Sequence, residues 1–371
     1  MRVAILSCFH PFRGGVAQFN ASMLAELGRD HVVKAFNFTT QYPSVLFPGK
    51  TQFVQEGDNA SPVESERVLS TINPFSWCRT AKAVRAWKPD VLILRYWMSW
   101  FAPSLGWVAR HAGCKVVAIT DNIIPHEPRF FDKPLTRWFL KGVDGCVTLS
   151  DEVAADLRAL NASVPCRTLV HPVYSHFGEG MSKEAACKAL GISGGSRNIL
   201  FFGLIRKYKG LDILLRAFEG LPAEYRLIVA GEPYGSFDEY SQIIDASPAK
   251  DRISLFTRYI PDHEVASFFC ASDVCVLPYR SATQSGVGAL ALQFGTPMIV
   301  TDTGALRASV EGRGTGMVVD KAEPDCVREG ILSFFNTPGL RERCISNTAA
   351  WREKATWSGF CKDLISFTES L

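Results

Sequence analysis

No run of eighteen apolar residues occurs in this 371-residue chain, so the sequence offers no helix that could span a bilayer. Its 11 cysteines form no C-x-x-C pair, and their number is odd. That argues against a disulfide scaffold or a zinc site and for buried free thiols in a reducing cytoplasm. Charge is sparse, with 21% charged residues and a net charge of +3. A clustered basic stripe for nucleic acid is missing, and no nucleic-acid partner is expected. No D-x-D pair is present to hold a divalent ion, so neither a metal nor a bound cofactor is expected. There is also no G-x-G-x-x-G fingerprint, internal repeat or low-complexity tract. The amino-terminal run Met1–His10 is short and lacks a small-residue cleavage site, so it reads as a first strand rather than a leader.

What is present is a globular composition, 47% apolar, in a chain long enough for two ordinary cores. Apolar runs alternate with helical patterns throughout. In the first half the runs are Val3–Ser7, Val32–Phe38, Val91–Leu94, Lys115–Thr120, Gly145–Leu149 and Thr168–Val170. In the second they are Asn198–Phe202, Arg226–Ala230, Ile253–Phe256, Val274–Leu277, Met298–Thr301 and Gly316–Val319. Helices such as Val16–Leu27, Ser76–Ala86, Leu211–Phe218, Asp262–Cys270 and Gly286–Phe294 fall between them. Strict alternation implies an α/β fold with two doubly wound parallel sheets of about six strands each. Domains are expected over 1–172 and 173–350, with a carboxyl-terminal helical segment over 351–371 that could return to the first domain. The polar stretch Gln41–Ser70 fits no such unit and is expected to be a long loop with one hairpin.

Phosphate chemistry is suggested by Ile199–Phe218, where an apolar strand runs into Gly203, then Arg206, Lys209 and a new helix. Cations at a strand-to-helix junction stand where α/β sheets bind phosphorylated ligands. An arginine supplies a planar fork and a lysine a compact charge. A solvated basic loop is the competing explanation. A second junction, Leu277–Pro297, places Ser285 as an N-cap before a helix whose first turn is bared by Gly286 and Gly288. Close approach of a phosphate or close packing on the sheet would each explain those glycines. A third, Pro11–Asn20, puts Gly14 and Gly15 at the start of the first helix, suited to an anion or a sugar hydroxyl or needed only for a tight turn.

In their order and spacing, Arg206-x-x-Lys209-Gly210, Thr283-Gln-Ser-Gly286 and Gly295–Gly304, with the Gly14-Gly15 loop, resemble the retaining glycosyltransferase family 4 over essentially the whole chain. The resemblance implies the GT-B fold, two Rossmann-like domains facing across a cleft. It also implies donor binding in the second domain and acceptor binding in the first. Arg206 and Lys209 would hold the donor pyrophosphate. Most of that family carries Glu-x7-Glu before Gly-Thr-Pro, but Ala282 and Leu290 occupy those places here. The chain resembles the Thr-Gln-Ser-Gly subgroup, in which Thr283, Gln284, Ser285 and Gly286, together with Gly203 and Gly15, would contact the donor.

The loop Thr120–Glu127 offers Asp121 and His126 for catalysis, and Asn122 and Glu127, with Gly14, for the acceptor; plain turn chemistry is the alternative. The implied activity is metal-independent hexosyl transfer from a UDP- or GDP-sugar to a glycan or lipid-linked acceptor in surface polysaccharide synthesis. A nucleotide-sugar epimerase and a catalytically silent donor-binding subunit are the alternatives. Residues 1–172 carry 19 Lys and Arg against 14 acids. Aromatics and cations mix in Arg95–Phe101 and Leu135–Lys141, so a peripheral contact at the inner face of the membrane is also expected. Helical core packing would produce the same aromatic spacing.

Overall fold

The computed structural model describes residues 1–43, 51–54, 62–124, 129–173, 177–282 and 285–371, apart from the side chain at 305. The chain divides into two compact units, Met1–Pro172 with Ala355–Leu371, and Val173–Lys354. Among the described residues no helix is long and apolar enough to cross a membrane.

The first unit is built on a parallel sheet of seven strands: β1 (Arg2–Leu6), β2 (Val32–Thr40), β3 (Ser65–Ser70), β4 (Val91–Tyr96), β5 (Lys115–Thr120), β6 (Gly145–Thr148) and β7 (Cys166–Thr168). Their order is β3-β2-β1-β4-β5-β6-β7, so winding reverses between β1 and β4. Every residue of β4 is buried, which is why Val91–Leu94 is a continuous apolar run rather than an alternation. Val3 and Ile5 face one core while Ala4 and Leu6 face the other, as the two-residue repeat of a strand requires.

Helix α1 (Gly15–Asp30) buries Phe19, Met23 and Leu27 at four-residue spacing against the Val3 face. The last helix of the chain, α14 (Trp357–Ser370), adds Phe360, Leu364 and Phe367 to the same core. Phe19 meets Trp357 and Phe360 edge-on at 4.8 and 5.5 Å. A fully buried side chain of this size contributes about 1.5–3 kcal/mol, enough to return the chain terminus to the first unit. The opposite face is covered by α2 (Pro74–Trp87), α3 (Ala102–His111), α4 (Asp132–Leu140) and α5 (Asp151–Leu160), the last capped by Ser150.

Of the loop and hairpin expected over Gln41–Ser70, residues 44–50 and 55–61 lie outside the described residues. Ser65–Ser70 is a parallel edge strand, with Ala35 opposite Ser65 and Phe36 opposite Glu66. A hairpin would have made an antiparallel pair; a long connection allows the parallel return.

The second unit holds β8 (Arg197–Phe202), β9 (Tyr225–Ala230), β10 (Ile253–Phe256), β11 (Val274–Leu277), β12 (Met298–Thr301) and β13 (Gly316–Val319), ordered β10-β9-β8-β11-β12-β13. Winding reverses between β8 and β11. The amino ends of these two strands are tied by Asp273, which accepts the Asn198 backbone N–H at 2.8 Å. It also pairs with Lys183 at 2.6 Å and Arg341 at 2.8 Å. The helices are α6 (Lys183–Leu190), α7 (Leu211–Glu219), α8 (Asp238–Ala246), α9 (Asp262–Cys270), α10 (Gly286–Phe294), α11 (Ala305–Val310), α12 (Pro324–Asn336) and α13 (Leu340–Lys354). Helix α7 follows its glycine directly because Leu211, Leu214, Leu215 and Phe218 form one buried stripe.

Candidate active site

Open α/β sheets bind ligands beyond the carboxyl ends of the strands where winding reverses. In the second unit those strands are β8 and β11, and both expected phosphate-binding junctions leave from them. The loop after β8 begins with Gly203 at φ +96°, close against Gly231 at φ +147° after β9. A Cβ on Gly231 would overlap the Gly203 carbonyl, so that crossing admits glycine alone. The Ile205 N–H then donates to Glu232 O at 2.9 Å, and the Tyr234 N–H donates to Ile205 O at 3.0 Å. A short 3-10 turn over Lys207–Lys209 ends at Gly210, where a Cβ would overlap the Pro278 carbonyl.

The first loop thereby lies directly on the second, and Arg280 fastens the two. Its Nη1 donates to Lys207 O at 2.7 Å, and its guanidinium forks onto the Asp212 carboxylate at 2.9 and 2.6 Å.

Arg206 and Lys209 stand on this braced loop. The Arg206 guanidinium carbon lies 3.9 Å from the centre of the Tyr234 ring, and its buried Nε has no hydrogen-bond partner. Lys209 is 9% exposed. Burial, and then the nearby Arg206 charge, push its ammonium from the ordinary 10.5 down to about 8. Among the described residues neither cation is paired with an acid, whereas nearby Arg280 has Asp212. Two adjacent cations without a counter-ion are costly in the free protein and suit an anionic ligand.

The third component is the tip of α10. Ser285 Oγ accepts the Gly288 N–H at 3.3 Å, and Gly286 is exposed. A Cβ on Gly286 would meet nothing within 4 Å, and one on Gly288 would make only an ordinary 3.6 Å contact with Met298 Sδ. Sheet packing therefore does not require either glycine, and the first turn of α10 is left bare at this point. A Cβ on Gly203 would lie 3.2 Å from Lys209 Nζ and equally 3.2 Å from Val287 Cγ2 in the first turn of α10. Glycine loop, ammonium and helix tip converge at that point. The loop after β12 closes the other side, because a Cβ on Gly304, at φ +49°, would overlap the Ala282 carbonyl. Thr283 and Gln284 lie outside the described residues.

In the first unit winding reverses at β1 and β4. Gly14, at φ +109° and exposed, precedes Gly15, the first residue of α1. The preceding loop is held by two buried amides. Asn20 Nδ2 donates to Ser7 Oγ at 2.8 Å and Cys8 O at 2.9 Å, and Asn37 Oδ1 accepts the Phe9 N–H at 3.1 Å.

Asp121 accepts Arg95 Nε at 2.8 Å, with a second bond from Nη2; Arg95 is 4% exposed and sits 3.9 Å above the Phe19 ring. Asp121 is thus the counter-ion of a buried arginine. Asn122 beside it is half-buried, and His126 and Glu127 lie outside the described residues. Within the expected aromatic surface Arg95–Phe101, the residues Arg95, Tyr96, Ser99 and Phe101 are buried, because β4 and the turn after it are core. That half of the expectation is corrected.

Sequence reasoning did not find Gly231, Tyr234, Arg280 or Arg95. Gly231 carried a signal, since it ends an apolar strand as Gly203 does. Tyr234 carried none.

Comparison with known proteins bears on the family and the fold. The family model described as glycosyl transferases group 1 matches residues 182–351, and the glycosyl transferase 4-like domain matches residues 14–173. The D-inositol 3-phosphate glycosyltransferase of Mycobacterium tuberculosis is 28% identical over 293 residues, 72% of this chain and 58% of that protein. The protein of that name from Corynebacterium urealyticum is 28% identical over 202 residues, 52% of this chain and 48% of its own length. The chain thus spans only about half to three fifths of these two relatives.

Among solved structures, sucrose-phosphate synthase from Thermosynechococcus elongatus superposes with a TM-score of 0.78 at 15% identity, covering 100% of this chain and 99% of that one. Anabaena HepE, determined in complex with UDP, gives 0.74 at 15% identity and covers 100% of both chains. Two domain models that together match most of the chain, and parallel sheets that superpose on such enzymes, lead to one conclusion: the chain belongs to the group 1 glycosyltransferases and has the GT-B fold.

Proposed function

We propose that this glycosyltransferase moves a hexosyl group, with retention and without a metal, from a UDP- or GDP-sugar to a glycan or lipid-linked acceptor. Surface polysaccharide synthesis at the inner face of the membrane is the setting that fits such an acceptor. The observation that carries the reading is the pair Arg206 and Lys209, left without an acidic partner among the described residues and converging with the bare tip of α10. A donor diphosphate would accept from the Arg206 fork, from Lys209 Nζ and from backbone N–H groups in the first turn of α10. As the glycosidic bond to the donor breaks, negative charge grows on the leaving diphosphate. Fixed positive groups stabilise that charge without reorganising. Thr283, Gln284, Gly203 and Gly15 are assigned to contact with the donor. A neighbour solved with UDP supports a donor of this chemical class.

Gly14, Asn122, His126 and Glu127 are assigned to the acceptor side, with His126 as the group that positions the acceptor hydroxyl. Asp121, already engaged by Arg95, takes a positioning role at the end of β5. Removing one charged donor of this kind from a partly dry site costs about 3–4 kcal/mol of transition-state stabilisation, or two to three decades in rate. Arg206→Ala and Lys209→Ala should each lose that much turnover, measured as nucleoside diphosphate release with acceptor present. Near-normal rates in either variant would remove the pair from the chemistry. Donor incubated alone and followed by NMR separates transfer from epimerisation.

A further inference from the structure

We propose that Trp97 and Trp100, just past the carboxyl end of β4, form a stacking shelf for a pyranose ring of the acceptor. The inference rests on the transfer reaction proposed above and narrows its acceptor to a saccharide with an apolar ring face. β4 is one of the two strands at which the first unit's winding reverses, and Tyr96 is its last residue. Trp97 therefore stands at the mouth of the crevice where such sheets bind ligands. Tyr96, Ser99 and Phe101 are buried, whereas Trp97, Met98 and Trp100 between them are half-buried. Trp97 leans on the Phe101 ring at 4.2 Å and meets Phe38 edge-on at 6.4 Å, so the core fixes one side of its indole.

The N–H groups set the orientation of both rings. Trp97 Nε1 donates to the Tyr42 hydroxyl at 2.9 Å, and that hydroxyl donates to Met98 Sδ at 3.3 Å. Trp100 Nε1 donates to Thr71 Oγ1 at 3.3 Å, and the buried Thr71 hydroxyl donates to Gln41 O at 3.0 Å. An indole has one polar atom, and in both rings it is engaged with the protein. What each ring offers a ligand is carbon surface held in a fixed plane. The Gly14 loop runs beside this shelf: the Arg13 N–H donates to Gln52 O at 3.0 Å, and Gln52 Nε2 donates to Tyr42 O at 3.2 Å. Gln52 Oε1 has no partner among the described residues. A pyranose suits both features. The polarised C–H groups of one ring face match the negative face of an aromatic ring, and the hydroxyls round its edge can donate to Gln52 Oε1. An acyl chain would cover the indoles but leave that amide oxygen unpaired. A phosphate gains nothing from Arg95, two residues before Trp97, because Asp121 already balances its charge.

The test is saturation-transfer NMR of the full chain, with UDP present, against the methyl β-pyranosides of glucose, galactose and N-acetylglucosamine. Sorbitol, an open-chain polyol, and hexanoate, a short acyl chain, are the controls. At least one pyranoside should receive saturation on its ring C–H protons, and neither control should. Trp97→Leu and Trp100→Leu should each weaken that pyranoside about two- to tenfold, while Trp97→Phe keeps a ring face and should retain most of the affinity. Should a leucine variant not fold, 5-fluorotryptophan in the parent chain gives a second reading. The fluorine resonances of Trp97 and Trp100, assigned with the two Trp→Phe variants, should both move with the pyranoside. Thermal stabilisation by UDP is measured alongside: its absence from the parent chain counts against the donor reading and leaves this one standing. No saturation of any pyranoside, equal saturation of hexanoate, undiminished binding in both folded leucine variants, or unmoved fluorine resonances each overturns the shelf.

Discussion

Lys209 makes the donor-site reading measurable through pH. In the free protein, burial and the Arg206 charge hold its ammonium at about 8 instead of 10.5, a difference worth roughly 3 kcal/mol. A bound diphosphate supplies the missing counter-charge and returns the group toward its ordinary value, so binding takes up a proton between those limits. Affinity is therefore fully present below pH 8 and falls as pH rises through it. If the bound lysine recovers completely, affinity at pH 9.5 should be roughly thirtyfold weaker than at pH 7. Isothermal titration of UDP or GDP at several pH values, in buffers of different ionisation enthalpy, reads both the affinity and the proton uptake. Lys209→Met should bind weakly at every pH and lose the slope. The unliganded protein has the opposite sign: the unfolded lysine holds its proton more tightly, so this cost to stability is relieved as pH rises from about 8 toward 10.5. A flat affinity from pH 7 to 9.5, or the same slope in Lys209→Met, would refute the isolated-cation argument.

Three further outcomes follow from the same geometry. Tyr234→Ala removes the ring beneath Arg206 and should weaken nucleotide binding about three- to tenfold in a titration, while Tyr234→Phe keeps the ring and should bind normally. Gly304→Ala sets a Cβ onto the Ala282 carbonyl at a positive φ; a loss of about 2 kcal/mol or more in denaturant unfolding is expected, with impaired donor binding. Asp273→Asn breaks pairs with Lys183 and Arg341 at the opposite end of the sheet. It should cost about 2–3 kcal/mol of stability while leaving the affinity of the surviving folded protein for nucleotide unchanged.

Much of the fold could be read locally. Lys115–Thr120, Ile253–Phe256, Asp262–Cys270 and Gly286–Phe294 stand where apolar periodicity places them, because buried strands and amphipathic helices carry their burial in their own spacing. Ser285 as an N-cap was legible for the same reason, since capping is decided within one turn. The parallel pairing of Ser65–Ser70 was not, because a strand's partner is set by residues thirty positions away. Arg95–Phe101 read as an exposed aromatic surface and is mostly core, since spacing alone does not say which side of an element the protein covers.

The amino-acid sequence by itself determined two alternating α/β series, glycine junctions at the ends of particular strands, and cations on the second of those series. Each is a consequence of short-range sterics and periodicity. Tertiary structure decided that the winding reverses at β1/β4 and β8/β11. It brought Gly203, Lys209 and the α10 tip to one point, set Tyr234 under Arg206, and paired Asp121 with Arg95. Those outcomes depend on packing between segments distant in the chain, where burial, charge and carbonyl positions become defined only after the sheets have formed.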